Sequence, residues 1–250
     1  MRIARISALL FVAVVAAVYV FLHYPGAEAS FSIKAPEVRG HKEIPDSNPA
    51  QEAKPKDVDA MASGLIFVNK DHPLAPAFEP KDLVVPDVPF SFEGDHPKKQ
   101  MDRTAARALE TLFAEAERSG IELNAVSGYR SYETQRAIFQ RNARLKGEKE
   151  ANRTSAYPGE SEHQTGLAMD VSAASVDNAL EEAFGATKEG QWLADNVASF
   201  GFIIRYPKGK EEVTGYKYEP WHLRYVGKEL AEYLTVNGLT LDEFVSGAKK

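Results

Sequence analysis

Apolar residues first recur at the three- and four-residue spacing of an amphipathic helix across residues 102–119. Gly120 follows directly and provides a stop signal for that helix. Ser131 can cap the start of a second helix. The same spacing predicts a helix at 191–200 and a last helix after Gly227.

Short strands are predicted between these helices. Residues 121–126 and the apolar run 202–206 have the length and composition of strands, and residues 167–172 and 221–226 alternate between apolar and polar positions. A polar loop is expected at 147–162. Strands and helices do not alternate as regular βαβ units, so the sequence predicts an α+β fold with a small, mainly antiparallel sheet packed with helices.

The N-terminus predicts export from the cytoplasm. Arg2 and Arg5 precede residues 6–22, an uncharged and mostly apolar run that would span about 25 Å as a helix. An A-x-A pattern at 27–29 fits cleavage by a signal peptidase. Residues 1–30 are therefore expected to be a cleaved signal peptide or an uncleaved membrane anchor. In either case the remainder is expected to be extracytoplasmic, secreted to the cell wall or held at the membrane.

Residues 31–60 have the composition of a flexible linker. Large apolar residues are sparse, and four prolines interrupt any periodicity: Pro36, Pro45, Pro49 and Pro55. Residues 61–250 have a length that suits one domain, predicted to carry the function.

Composition limits the partners and the kinds of active site that the chain can have. Thirty basic residues against 36 acidic ones give a formal net charge of −6, which disfavours nucleic acid as a partner because phosphate binding needs a cationic face. The sequence has no cysteine, which excludes disulfides, thiolate nucleophiles and iron–sulfur clusters. Any bound metal must use nitrogen and oxygen ligands.

Two segments contain the residue types of a metal site. In the first, Gly166 permits a tight turn between His163 and the strand that presents Asp170, and the second places His222 on another strand. If the two strands pair, Asp170 and His222 project into one cleft with His163 above them. Three such ligands with one open position are typical of catalytic zinc. The alternative is a structural His–Asp hydrogen bond beside a sheet edge that packs Trp221.

Glu219 precedes the second histidine by three residues. Metal-assisted hydrolysis needs a proton acceptor near the attacking water, and a carboxylate that is not itself a ligand can perform that role. Glu219 is therefore the candidate general base.

The motifs also resemble those of a known family. Ser-x-His-x-x-Gly-x-Ala-x-Asp from Ser161 and Glu-x-Trp-His-x-Arg-Tyr from Glu219, with Ser-Gly-Tyr-Arg-Ser from Ser127 upstream, resemble the zinc D-alanyl-D-alanine carboxypeptidases of the vancomycin-resistance type and their L,D-carboxypeptidase relatives. The resemblance runs from about Leu65 to Val226.

This resemblance implies one Zn²⁺ per chain, with His163, Asp170 and His222 as ligands and Glu219 as the catalytic base. It further implies a peptidoglycan stem peptide as substrate. Arg130, in the third motif, is predicted to bind a substrate carboxylate or stabilise the oxyanion through its planar guanidinium.

The sequence leaves the roles of three further polar residues open. Gln135 and Ser161 could bind the peptide's terminal carboxylate or amide, as the resemblance suggests, or only cap local structure. Arg224 shares a predicted strand face with His222. It could support the ligands or form a simple ion pair, and the sequence does not decide between these two roles.

The leading hypothesis is a zinc-dependent D-alanyl-D-alanine carboxypeptidase. One alternative is L,D-carboxypeptidase action on tetrapeptide stems, and another is a non-catalytic, zinc-stabilised wall-binding module. An intact Glu219 beside three intact ligands disfavours the binding module, which needs no general base.

Overall fold

The computed structural model describes residues 64–247. Its largest sheet within these residues has four antiparallel strands. The predicted leader and linker lie outside these residues. The strands are β1 (Leu83–Val84), β2 (Met101–Asp102), β3 (Asn124–Ser127), β4 (Ala168–Ser172), β5 (Phe202–Tyr206) and β6 (Glu219–Tyr225). The four-stranded sheet has the order β3-β4-β6-β5, and a second sheet pairs the two short strands β1 and β2.

Seven α-helices surround the sheet within the described residues. They are α1 (Arg103–Arg118), α2 (Tyr132–Lys146), α3 (Glu148–Ala151), α4 (Lys188–Asn196), α5 (Glu211–Thr214), α6 (Lys228–Asn237) and α7 (Leu241–Val245). Short 3-10 helices complete the secondary structure at Pro97–Lys99, Glu162–Thr165, Ala174–Val176, Glu182–Ala186 and Val197–Phe200. The predicted α+β class with a small antiparallel sheet is confirmed.

Helix α1 forms where the spacing predicted it. The Asp102 carboxylate caps its start by accepting the backbone N–H groups of Thr104 and Ala105 at 2.8 and 3.3 Å. Its predicted apolar stripe is buried in the main core, together with apolar residues of β3, β4, β6 and α4. Burying this stripe is the main source of the helix's stability, because an isolated helix of this length is marginal in water.

The sheet separates two environments. Met169, Val171 and Leu223 point into the main core on one side. A second apolar cluster joins Ile203 of β5 to α6 and α7. All five residues of β4 are buried, including its polar ones, so its alternation does not mark a solvent-exposed face.

Some predicted boundaries were wrong. Strand β3 begins at Asn124 rather than at residue 121, because the N–H of Ile121 still closes the end of α1 on the carbonyl of Ala116. The predicted loop at 147–162 contains helix α3, and β6 begins at Glu219, two residues before the predicted strand at 221–226. Within the described residues, no helix combines the length and apolar character needed to cross a membrane.

Candidate metal centre

His163 lies on the 3-10 turn just before β4. Its Nδ1 is 2.7 Å from the carbonyl oxygen of Gly128, and since a carbonyl only accepts, Nδ1 carries the proton. Burial lowers the pKa of His163, and in the neutral ring Nε2 is then unprotonated, 3.3 Å from Oδ2 of Asp170. Gly166 ends the turn with φ +72°, a conformation that glycine adopts readily. The turn thus presents one imidazole nitrogen to the start of the sheet.

Asp170 and His222 face each other across the pairing of β4 with β6. Their Cα atoms are register partners, and Nδ1 of His222 is 2.9 Å from Oδ1 of Asp170. The pairing that the sequence made conditional therefore exists, and it brings both side chains to the strand face opposite the main core. The two imidazole rings lie 4.9 Å apart in an edge-to-face arrangement.

The three side chains fit a zinc ion. Each offers one ligand atom, these atoms lie within 4.8 Å of one another, and all three residues are buried. Two atoms bound to a tetrahedral zinc ion at about 2.0–2.1 Å lie about 3.4 Å apart, close to the 3.3 Å between Nε2 of His163 and Oδ2 of Asp170. Two imidazoles and one carboxylate are also the donor chemistry that zinc accepts. The residues present therefore suit a catalytic zinc site.

The charges of the triad are set by its burial and by its neighbours. Burial alone would raise the pKa of Asp170, but the two histidines hold it well below its usual range. Burial alone would lower the pKa of His222, but Asp170 and Glu162 outweigh it and raise the pKa to about 9. A permanent carboxylate beside two imidazoles favours a cation at this point.

Glu162 is the site residue that the sequence analysis missed. It is buried, and its Oε2 is 3.4 Å from Nε2 of His222. Its Oε1 accepts hydrogen bonds from Arg205 at 2.8 Å and Arg224 at 2.7 Å. Burial would raise the pKa of Glu162, but these two guanidinium groups hold it far below the usual range. Arg205, a charged residue within an apolar strand, was the available signal that a buried acidic partner exists.

Glu219 lines the same cavity as the triad. The residue is half-buried, and desolvation raises the pKa of its carboxyl to about 7; Asp170 adds to the rise, while His222 and Arg130 oppose it. A carboxyl with a pKa near neutrality can both accept and return a proton, which is what the predicted role requires.

Arg130 also lines the cavity. Its Nη1 donates to Oε1 of Gln135 at 2.9 Å and its Nη2 to Oγ of Ser127 at 3.3 Å, while its backbone N–H bonds the carbonyl of His163. Nε2 of Gln135 donates in turn to the carbonyl of Ala156 at 2.6 Å. Gln135 is therefore placed behind Arg130 as its support, and its contact with substrate stays a prediction.

The cavity has a volume of about 270 Å³. Ser161 lies in its wall, as do three aromatic side chains: Tyr206, Tyr216 and Trp221. Tyr206 stacks on His222 with ring centres 5.1 Å apart. Trp221 packs against the main core and also lines the cavity. The mixed wall suits a short peptide end with a charged terminus.

Comparisons with known proteins identify a family and similar folds. Residues 98–228 match the VanY family, described as D-alanyl-D-alanine carboxypeptidase. The chain is 55% identical over 186 residues to the putative carboxypeptidase YodJ of Bacillus subtilis (strain 168), a match that covers 74% of this chain and 68% of that protein.

Two solved structures resemble the fold. The LdcB LD-carboxypeptidase has a TM-score of 0.70 and 55% identity, and the match covers 73% of this chain and 86% of that one. A mutant of the vancomycin-resistance D,D-pentapeptidase VanY, in complex with Zn(II), has a TM-score of 0.59 and 32% identity, and the match covers 72% and 97% of the two chains.

Proposed function

Because the chain belongs to the VanY family of D-alanyl-D-alanine carboxypeptidases, we propose that it uses one zinc ion to remove the C-terminal D-amino acid from peptidoglycan stem peptides. It is a carboxypeptidase of the VanY and LdcB type, and hence a hydrolase. The observation that carries the proposal is the buried His163, Asp170 and His222 cluster with Glu219 in the wall of the same cavity.

His163, Asp170 and His222 would hold the ion. When bound, zinc supplies Lewis-acid polarisation of a carbonyl and makes a water molecule more acidic. The Glu219 carboxylate accepts the proton of the attacking water and delivers it to the leaving amine. Arg130 grips the terminal carboxylate or stabilises the oxyanion, with its guanidinium oriented by Gln135.

Two specificities are compatible with this site. The family description supports a D,D reaction on pentapeptide stems, the hypothesis that the sequence analysis put first. The 55% identity to the LdcB LD-carboxypeptidase, against 32% to the VanY mutant, supports an L,D reaction on tetrapeptide stems. The two reactions release the same kind of residue and differ in the configuration of the residue before the cleaved bond.

The test is direct incubation of the purified, zinc-loaded protein with tetrapeptide and pentapeptide stems, followed by mass spectrometry. Loss of one terminal residue supports the proposal, and the stem that reacts gives the specificity. Glu219→Gln is the matched control, expected to keep stoichiometric zinc and to reduce turnover by at least about 100-fold. Tight wall binding with intact stems would instead indicate a binding module.

The substrate also gives a proposed location. Peptidoglycan lies outside the cytoplasmic membrane, and the basic, apolar and A-x-A pattern of residues 1–30 supports export. Fractionation of cells that make the full chain tests this: recovery in the wall, membrane or medium fraction supports it, and exclusive recovery with cytoplasmic enzymes contradicts it.

A further inference from the structure

A buried network of four charged side chains adjoins the metal centre. Glu162 accepts hydrogen bonds from Arg205 and Arg224, and Arg205 also pairs with Asp242 of α7. Glu162 and the two arginines are at most 1% exposed. Buried charges are costly to desolvate and are weak evidence for stability, so a network of this size calls for another role.

The geometry around Glu162 is directional. Both guanidinium groups bond the same oxygen, Oε1, at 2.7 and 2.8 Å. The other oxygen, Oε2, faces Nε2 of His222 at 3.4 Å. The arginines therefore hold the carboxylate in one orientation, with its second oxygen turned to the ring.

Both ring nitrogens of His222 face a carboxylate: Nε2 faces Oε2 of Glu162, and Nδ1 lies 2.9 Å from Oδ1 of Asp170. A metal ion held by the triad would take the place of the proton on Nδ1, whereas the Glu162 carboxylate, as an acceptor, would keep the proton on Nε2. Glu162 therefore favours the ring form that leaves Nδ1 available to the metal. Carboxylates in this position orient metal-binding histidines and raise their basicity.

We propose that Glu162 is a positioning residue, which fixes the ring orientation and tautomer of His222 so that Nδ1 is presented to the metal. The inference rests on the proposed function only in taking the triad as the zinc site. Glu162 touches neither the substrate nor the reacting atoms in this role; it acts through His222.

The support of Glu162 extends beyond the part of the chain that matches the family. Arg205 connects Glu162 to Asp242, whose Oδ1 accepts a hydrogen bond from Asn69 at 3.0 Å. Arg224 also bonds the backbone carbonyl of Ile66. Asp242, Asn69 and Ile66 all lie outside residues 98–228. Chain segments on both sides of the matched region thus hold the arginines that hold Glu162.

The test measures zinc affinity by competition with a chromogenic chelator, using the full chain. Glu162→Gln removes the charge opposite Nε2 of His222, and the zinc dissociation constant is expected to rise about 10- to 100-fold. Asp242→Asn is the matched control, because it weakens the same network one step further out and leaves Glu162 against the ring. Its dissociation constant is expected to stay within about threefold of the wild-type value.

Thermal melting of the metal-free variants separates positioning from general destabilisation. If Asp242→Asn lowers the melting temperature as much as Glu162→Gln and only the latter loses zinc affinity, the effect belongs to His222. If both lose zinc affinity equally, or if neither does, the inference is overturned. Should Glu162→Gln fail to fold, Glu162→Asp keeps the charge but shortens the side chain, and it is expected to weaken zinc binding in the same direction.

A spectroscopic measurement supplies a second criterion. In the zinc-loaded wild type, ¹⁵N NMR of the His222 ring is expected to show a protonated Nε2 and a metal-bound Nδ1. A protonated Nδ1 with metal on Nε2 contradicts the inference. Failure of the wild type to bind zinc would refute the proposed function, whereas tight zinc binding that is indifferent to Glu162 overturns this inference alone.

Discussion

Glu219 lies in surroundings that oppose its charge. Desolvation raises the pKa of its carboxyl to about 7, and only the ionised form can accept a proton from water. Activity is therefore expected to rise with pH and to be lost as pH falls through this pKa. A bound cation favours the carboxylate and lowers the pKa, so the acidic limb of kcat/KM should have its midpoint at or below about 7. A single-proton limb with a midpoint clearly above 7 would contradict the assignment of Glu219 as base.

Arg130 acts through the shape of its side chain as well as its charge. Gln135 and Ser127 hold two of its nitrogens, which orients a planar fork that lysine cannot reproduce. Arg130→Lys is expected to lower kcat/KM roughly 100-fold while zinc remains bound. The matched control is Arg136→Lys on the exposed side of α2, where Arg136 pairs with Glu133.

The Arg130 comparison is made with steady-state kinetics on the stem peptide that reacts. The control variant should match the wild type, because an exposed ion pair contributes little to stability and Arg136 does not line the cavity. If Arg130→Lys also retains full kcat/KM, a positive charge at this position is sufficient and the directional role is refuted.

At the scale of elements, the turn before β4 depends on a glycine for two reasons. Gly166 has φ +72°, and a Cβ there would lie 2.8 Å from Cδ2 of Leu83. Gly120 at the end of α1 has the same φ of +72° with no atom within 4 Å of such a Cβ. An alanine at either position would have to adopt the same unfavourable backbone conformation. The two positions differ only in the room that is available for the added Cβ.

Gly120→Ala is expected to lower the free energy of unfolding by about 1–2 kcal/mol, the cost of a left-handed conformation. Gly166→Ala should lose a further ~1–3 kcal/mol, because Leu83 and the β2 backbone must move to make room. Urea unfolding of the two metal-free variants measures the difference. Equal losses would show that the turn is not tightly packed at this point.

The elements that depend mainly on residues close together in sequence were predictable. Helix α1 depends on its own apolar stripe and on Asp102, and β4 and β6 depend on alternation, with Gly166 before β4 and Pro220 near the start of β6. Helix α3 was not predictable, because its four residues are stabilised by burial of Ala151 and by their packing against α2 rather than by periodicity. Glu162 was missed for the same reason: its arginine partners lie 43 and 62 residues away in sequence.

At the scale of the whole molecule, the metal centre connects three parts of the chain: the 3-10 turn, β4 and β6. A zinc ion that binds only the folded state stabilises it by about 4 kcal/mol when free zinc is about 1,000 times its dissociation constant. For a protein of this size that corresponds to a rise of roughly 8–16 °C in melting temperature. Removal of zinc by a chelator is therefore expected to lower the melting temperature by that amount and to abolish hydrolysis, and added zinc should restore both.

Two histidine variants show whether this stabilisation comes from the triad. His222→Ala is expected to lose the zinc-dependent shift, because it removes one of three ligands. His96→Ala should keep the shift, since His96 is exposed and lies outside the triad: it caps a 3-10 helix by accepting the N–H of Lys98 and contacts the ring of Phe92. Scanning calorimetry with and without zinc measures both. A full zinc-dependent shift in His222→Ala would place the stabilising ion elsewhere on the chain, and β4 and β6 would then be joined only by their hydrogen bonds and by the core packing of residues such as Met169 and Leu223.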